Sequence, residues 1–326
     1  MKRPRTSPGV LLLRVGPAEA GLRLDVFLSR RLHCSRSQIV RRLAGKVHRA
    51  SGRTLKWSQQ LAAGLEIQVQ GRPRPEPDIE VRYRLLFQDD SLLAVDKAAG
   101  VPVHPVRSFR TRTLVTRLRA EQGDDTLAPA HRLDRETSGV VVFGRGPGNT
   151  RRLMEQFAGG SVRKDYLAVV RGRPDFEQVV VDVPLGRDDD FPVPCRMRVA
   201  ERGRRACTEV RVLWRGPDRA LLLARPRSGR QHQIRVHLAH LGLPVLGDKL
   251  YQDGGSAYLK MLRDELDDAA REQLGHGRQA LHAWSLRLRH PGDGRPLHLL
   301  AAPPADLLGL LPARAWRQVD LEAREE

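Results

Sequence analysis

From Gly71 to Asp78 the chain reads Gly-Arg-Pro-Arg-Pro-Glu-Pro-Asp, with proline at every second position. Each proline fixes its own φ and lacks a backbone donor, and each residue before a proline is pushed towards extended backbone. No helix or internal strand tolerates that spacing, so residues 71–80 are expected to form an extended, semi-rigid linker. The chain then folds as a small module before the linker and a large one after it. The expected organisation is a basic tail over 1–16, the small module over 17–70, the large domain over 81–312 and a C-terminal tail over 313–326. With 326 residues, 40% of them apolar, there is material for ordinary packed cores.

In the small module Leu22, Leu24, Val26, Phe27 and Leu28 precede Ser35-Arg36-Ser37-Gln38, a helix start for which Ser35 or Ser37 would be the N-cap. Ile39, Leu43 and Val47 continue at roughly helical spacing. Arg23-Leu24-Asp25, Ser35 to Ile39, Gly45, Val47, Gly52 and Gly64-Leu65-Glu66-Ile67 together resemble an S4 RNA-binding domain. The chain departs from that pattern at Ala50-Ser51-Gly52, where the family has an Asn-Gly turn, and at Gly64-Leu65, where it has Gly-Asp. The resemblance implies RNA contacts from Arg23, Arg36, Gln38, Arg41 and Arg42; the alternative is a small helical interaction domain without them.

The large domain carries its chemistry in separate blocks. The first is His131-Arg132-Leu133-Asp134-Arg135-Glu136-Thr137-Ser138-Gly139, followed by the apolar run Val140 to Phe143. It sets one carboxylate between Arg132 and Arg135 on a turn before a strand. Neighbouring cations favour the charged carboxylate, and Gly139 allows a tight turn, so Asp134 is available as a base or nucleophile. In a second block, Val162 to Val170, period-two alternation places Lys164, Tyr166 and Ala168 on one face of a strand. A third, Arg227-Ser228-Gly229-Arg230-Gln231-His232-Gln233-Ile234-Arg235, continues into a helix expected to start near Arg230, with Ile234, His237, Leu238 and Leu241 on one face and Gly242 at its C-cap, and then into Gly247-Asp248-Lys249-Leu250-Tyr251.

Taken in order with Asp96-Lys97-Ala98-Ala99-Gly100, His104-Pro105, Leu281-His282-Ala283 and His290-Pro291, these blocks resemble the RluA-type pseudouridine synthases, which isomerise uridine in ribosomal and transfer RNA. The resemblance runs from about Gly21 to about Ala302. It implies an α+β fold: a small S4-like α/β domain, then a catalytic domain on a large mixed, mainly antiparallel sheet. It further implies that Asp134 is the essential carboxylate, that Tyr166 stacks on the extracted uracil, and that Arg230 pairs with Asp134. Arg132, Lys164, Ile234, His131 and Lys97 would contact substrate, and Arg235 would make a phosphate or structural contact.

Other chemistry fits less well. His232, His237 and His240 invite a metal, but the spacing is not HExxH and residues five apart on a helix diverge. Ser138 lacks the G-x-S-x-G elbow of a hydrolase nucleophile. No P-loop or dinucleotide-binding glycine pattern occurs, and an isomerisation needs neither redox nor energy input. Neither metal nor organic cofactor is expected. Residues 252–277, with Gly254-Gly255 and the acidic stretch Leu262 to Gln273, read as a surface insertion.

Lys and Arg total 57 against 38 acids, a formal charge of +19, which implies a polyanionic partner. Only seven of the 57 are lysines, and arginine's planar fork suits phosphate and base stacking. Cys34, Cys195 and Cys207 are too few and scattered for a disulfide framework, which fits a reducing cytoplasm. Gly9 to Val15, interrupted by Arg14, is expected to be neither signal peptide nor membrane span. The expected partner is RNA, with large-subunit ribosomal RNA ahead of transfer RNA, handled by a cytoplasmic monomer without membrane contact. A non-catalytic S4-type RNA-binding protein is the alternative from another class.

Overall fold

Part of the stretch expected to be a basic tail is a strand, in which half-buried Leu11 and Leu13 alternate with exposed Leu12 and Arg14. The structure, a computed structural model, describes residues 10–32, 36–70, 76–106 and 109–325. In one compact unit, formed by the chain up to Asp78 with Val106–Arg110, strand β1 (Val10–Arg14) is followed by helices α1 (Leu24–Arg31) and α2 (Arg36–Arg42) and strands β2 (Val47–Arg49) and β3 (Glu66–Gln70). The three strands form an antiparallel sheet in the order β1-β3-β2, with Leu11 opposite Val69 and Leu13 opposite Ile67. Leu24, Phe27, Leu28, Ile39, Val47, Leu61 and Ile67 fill its core. Ser37 lies inside α2 and is not its cap; Ser35 falls outside the described residues, as do 1–9 of the tail and 71–75 of the linker. Val106–Arg110, expected inside the large domain, belongs to this small unit, where the Arg110 amide donates to Glu76 Oε1 at 2.8 Å.

The other unit, Ile79–Pro105 with Thr111–Glu326, opens with β4 (Tyr83–Gln88), β5 (Leu92–Lys97), α3 (Leu114–Gln122), β6 (Ala128–Pro129), β7 (Ser138–Gly144), α4 (Gly146–Ala158) and β8 (Arg163–Arg171). It continues with β9 (Gln178–Asp182), β10 (Leu185–Arg187), β11 (Met197–Val199), β12 (Cys207–Arg215), β13 (Arg219–Pro226) and α5 (Gln233–His240). It closes with α6 (Ser256–Leu262), α7 (Asp268–Leu274), β14 (Leu281–Arg289), β15 (Pro296–Leu300), α8 (Ala305–Leu308) and α9 (Ala313–Glu325). Ten strands share one sheet, ordered β4-β5-β7-β14-β8-β13-β12-β9, with β15 beside β14 and β6 beside β7. Only β7 and β14 run parallel, so the sheet is mixed and mainly antiparallel, and with its surrounding helices the fold is α+β.

Residues 313–326 are not a tail through most of their length. In α9, Ala315, Trp316 and Val319 are buried against the sheet core that includes Leu221 and Val210. Residues 252–277, expected as a surface insertion, hold α6 and α7, and the acidic stretch supplies α7, whose N-cap Asp267 accepts the Ala270 amide at 2.7 Å. Among the described residues no helix is long and apolar enough to cross a membrane.

Gly139 is fixed by packing as well as by its φ of 114°. It sits opposite Ala283 in the parallel β7–β14 pair, and a Cβ there would lie 2.1 Å from the Ala283 carbonyl oxygen. Two strands therefore approach at the point where the Asp134 turn enters the sheet.

Candidate active site

Four adjacent central strands, β7, β14, β8 and β13, organise the site. The Asp134 turn precedes β7, Tyr166 lies on β8 opposite Ala283 and Ala224, and the loop after β13 leads to α5. Asp134, Tyr166, Lys164, Ile234, His131, Arg132, Arg230, His232 and Arg235 all line a cavity of about 500 Å³. Binding pockets for small organic groups commonly have volumes of this order.

Arg235, not Arg230, pairs with Asp134. Its Nη1 donates to Asp134 Oδ2 at 2.7 Å, while Nε and Nη2 donate to the two oxygens of Asp248 at 2.6 and 2.7 Å. The reason is local. Helix α5 starts at Gln233, because the Gln233 side-chain oxygen accepts both the Ser228 hydroxyl at 2.7 Å and the Arg230 amide at 3.1 Å. Arg230 is thereby held ahead of the helix, where its Nε donates to the Arg205 carbonyl. Arg235 falls in the first turn and lies under Tyr251, its guanidinium 4.9 Å from the ring centre. Asp248 is buried and also accepts the amides of Leu250 and Tyr251, so the far end of the bridge is fixed.

Burial opposes ionisation of Asp134, but His232 and Arg235 outweigh it and hold the carboxyl well below its ordinary 3.8. Burial brings His232 itself down to about 4, so near neutral pH Arg235 is the cation that matters. Charge-assisted pairing of this kind keeps a half-buried carboxylate ionised and oriented. Burial, and then the Asp134 charge, push the Tyr166 phenol up, so it stays neutral.

Backbone contacts fix the turn itself. Lys97, expected to touch substrate, is fully buried and gives its ammonium to the carbonyls of Ala98, Val101 and Arg135 at 2.9, 2.9 and 3.1 Å. Burial pushes it down to about 7. Arg278 donates to the Glu136 carbonyl at 3.1 Å and is held by Asp306, and Lys249 donates to the Glu136 carboxylate at 3.2 Å. Sequence reading did not single out Arg278 or Asp306. Lys249 and Asp248 stood in a quoted block without a role, although an aspartate within reach of an arginine-bearing helix was a usable signal.

The remaining side chains differ in what they offer. Lys164 is nearly buried, its ammonium 3.3 Å from the Ser228 carbonyl, and burial lowers its pKa. His131 stacks on Phe157 at 4.4 Å and its Nε2 accepts the Val142 amide, with burial bringing it to about 3. It is a neutral wall of the cavity. Arg132 is exposed at the rim and Ile234 forms an apolar wall. Ser138 is buried outside the cavity and hydrogen-bonded to His282 Nδ1 at 2.9 Å, which gives no access for a nucleophile. His237 bonds Thr208 while His232 bonds Tyr251, so the two histidines face different partners. In the small unit Arg23 and Arg36 both pair with buried Asp25, at 3.1 and 2.8 Å. The side chains of Gln38, Arg41 and Arg42 fall outside the described residues.

A family model described as RNA pseudouridylate synthase matches residues 91–240. The chain is 34% identical over 307 residues to the ribosomal large subunit pseudouridine synthase D of Xanthomonas campestris pv. campestris, covering 92% of this chain and 91% of the relative. It is 30% identical to the ribosomal large subunit pseudouridine synthase C of Pasteurella multocida, covering 93% and 94%. Among solved structures, human RNA pseudouridylate synthase domain containing 4 superposes with a TM-score of 0.53 at 27% identity, over 73% of this chain and 93% of that one. Human RNA pseudouridylate synthase domain containing 1 gives 0.59 at 24% identity, over 77% and 98%, a likeness of fold.

Proposed function

The chain belongs to the RluA-type RNA pseudouridine synthases, which are isomerases, and from that premise we propose that it acts on uridines of large-subunit ribosomal RNA with Asp134 as the essential carboxylate. The observation that carries this reading is the Asp134 carboxylate held by the Asp248-anchored Arg235, in the same cavity as the Tyr166 ring. The printed names of the relatives favour the large-subunit target.

Making pseudouridine breaks the C1′–N1 glycosidic bond, turns the base and joins its C5 to the same sugar carbon. The base must leave the stack and enter an enclosed site. Exposed Arg132 would take the backbone, Lys164 would fix the substrate from the β8 side, and Ile234 and His131 would wall the base. Tyr166, facing Asp134, would hold the detached uracil by its ring face and exclude water. Asp134 attacks the sugar, adds to the base or removes a sugar proton, and its charged state serves each route. Arg230, free of Asp134, joins Arg132 as a backbone contact.

The small unit is proposed as an S4-like RNA-binding domain, with Arg23, Arg36, Gln38, Arg41 and Arg42 as its contacts. Two helices against a small antiparallel sheet support that reading. The enzyme is proposed to work as a cytoplasmic monomer without metal or organic cofactor, since the matched site residues lie in one chain.

The test is tritium release from C5-labelled uridine in large-subunit ribosomal RNA that lacks its modifications, comparing wild type with Asp134→Asn. Release by the wild type alone is expected. Equal release by Asp134→Asn would remove the carboxylate from the mechanism, and release from unmodified transfer RNA only would move the target.

A further inference from the structure

His232 sits immediately before α5 with φ 57°, in the left-handed region that a residue with a Cβ enters only when its surroundings hold it there. What holds it is Tyr251, whose ring stands edge-on to the imidazole at 5.6 Å and whose hydroxyl lies 2.8 Å from Nδ1. That hydroxyl accepts the Met197 amide at 2.9 Å. The phenol keeps one proton to give, and among the described residues Nδ1 is its only acceptor within hydrogen-bond distance. Nδ1 therefore accepts, and in the neutral ring the proton belongs to Nε2.

Nε2 lies 3.8 Å from Asp134 Oδ1, beyond hydrogen-bond length, and has no other hydrogen-bond partner among the described residues. The side chain is 10% exposed and lines the cavity shared by Asp134 and Tyr166. The arrangement is a fixed donor beside the reacting carboxylate, uncommitted until substrate arrives.

We infer that His232 is a further catalytic residue: its Nε2–H donates to a carbonyl oxygen of the uracil while the base is detached from the sugar. When the C1′–N1 bond breaks, its electron pair goes to the base, whose charge spreads over N1 and the carbonyl oxygens. A donor already aimed at that charge stabilises it without reorganisation. His232 gives up no proton and stays neutral throughout, and the base stays an acceptor until C5 bonds to the sugar, after which the C5 proton is lost to water and N1 takes one up. Burial, which brings His232 to about 4, agrees with a neutral donor rather than an acid. The inference rests on the reading of Asp134 as the reacting carboxylate.

Single-turnover tritium release, on whichever RNA the wild type modifies, tests it with His232→Ala, His232→Gln and Asp134→Asn side by side. His232→Ala is expected to slow release on the order of 10²-fold with RNA affinity within about twofold, as for loss of one oxyanion-type donor. His232→Gln, which keeps an N–H donor, should recover about tenfold of that loss. Both variants carry the same backbone strain, so their ratio reads the side chain alone. Equal rates in Gln and Ala, an unimpaired Ala variant, or a loss confined to affinity would each overturn the inference. If Asp134→Asn remains active, the carboxylate reading fails instead. Should neither His232 variant fold, ¹⁵N NMR of histidine-labelled wild type decides: a proton on Nε2 supports the inference and one on Nδ1 refutes it.

Discussion

At the scale of single residues, the site depends on one guanidinium bridging two carboxylates. A lysine at position 235 could reach Asp134 or Asp248 but not grip both, because an ammonium lacks the planar fork. Arg235→Lys is therefore expected to cut turnover about 10- to 100-fold, on the scale of a misplaced catalytic group, and to raise the Asp134 pKa. In the wild type that carboxyl lies below its ordinary 3.8, so its charge, and the stability the charge contributes, persist above that value and are lost only as pH falls through the lower folded pKa. Single-turnover rates should accordingly show no Asp134-dependent fall between pH 7 and about pH 5, where the group stays ionised, whereas Arg235→Lys should bring the acid limb to higher pH. Lys97→Met should leave three carbonyls short of a donor and lower the free energy of unfolding in urea by about 1–3 kcal/mol. The placing of Asp134 on a charged turn before β7 was legible in the sequence because its neighbours and the following apolar run announce one. Which arginine meets it was not, since that choice follows from the Gln233 side chain setting the helix start, a contact among residues whose spacing alone fits either arginine.

At the scale of elements, the apolar run after Gly139 gave β7 and period-two alternation gave β8. The two segments expected as tails hold elements that were missed for opposite reasons. In β1 the apolar run Val10–Leu13 is continuous, so period two is hidden until β3 is seen to pair with it. In α9 the apolar residues buried among those described are Ala315, Trp316 and Val319, and their worth comes from the sheet they cover. Gly139 shows the same dependence on a partner strand: its φ was readable as turn chemistry, but the contact with Ala283 belongs to the β7–β14 pairing. Gly139→Ala should therefore force the two strands apart and leave the protein insoluble or with a much lower Tm and no turnover. Gly148→Ala, inside α4 with open space around the new methyl, should instead be neutral or stabilise by up to about 1 kcal/mol. Thermal unfolding of the two variants checks the contrast; similar losses would mean that backbone freedom, not strand contact, sets the requirement at Gly139.

At the scale of the whole molecule, a formal charge of +19 is a statement about the partner rather than the fold. Part of the arginine is already committed: Arg163 and Arg225 to Asp165, and Arg235 to Asp134 and Asp248. These pairs are internal, several are buried, and salt screens them little. The surplus cations face an RNA backbone that sheds bound counterions as it docks, each neutralised phosphate contributing about −0.7 to the slope of log affinity against log salt for single strands. Affinity for substrate RNA should thus fall steeply between 50 and 200 mM salt, by roughly 300-fold if about six phosphates are engaged. The single-turnover rate at saturating enzyme should stay nearly constant over that range, because the Arg235–Asp134 contact is shielded within the cavity. Asp134→Asn should bind with the same slope as wild type, since its carboxylate is already paired with Arg235 and neutralises no phosphate. A shallower slope in Asp134→Asn would mean that the carboxylate shapes the RNA-facing field and that binding and chemistry share a charge. Equal slopes with a lost rate would separate them, leaving the surface arginines to gather RNA and the buried bridge to act on one uridine.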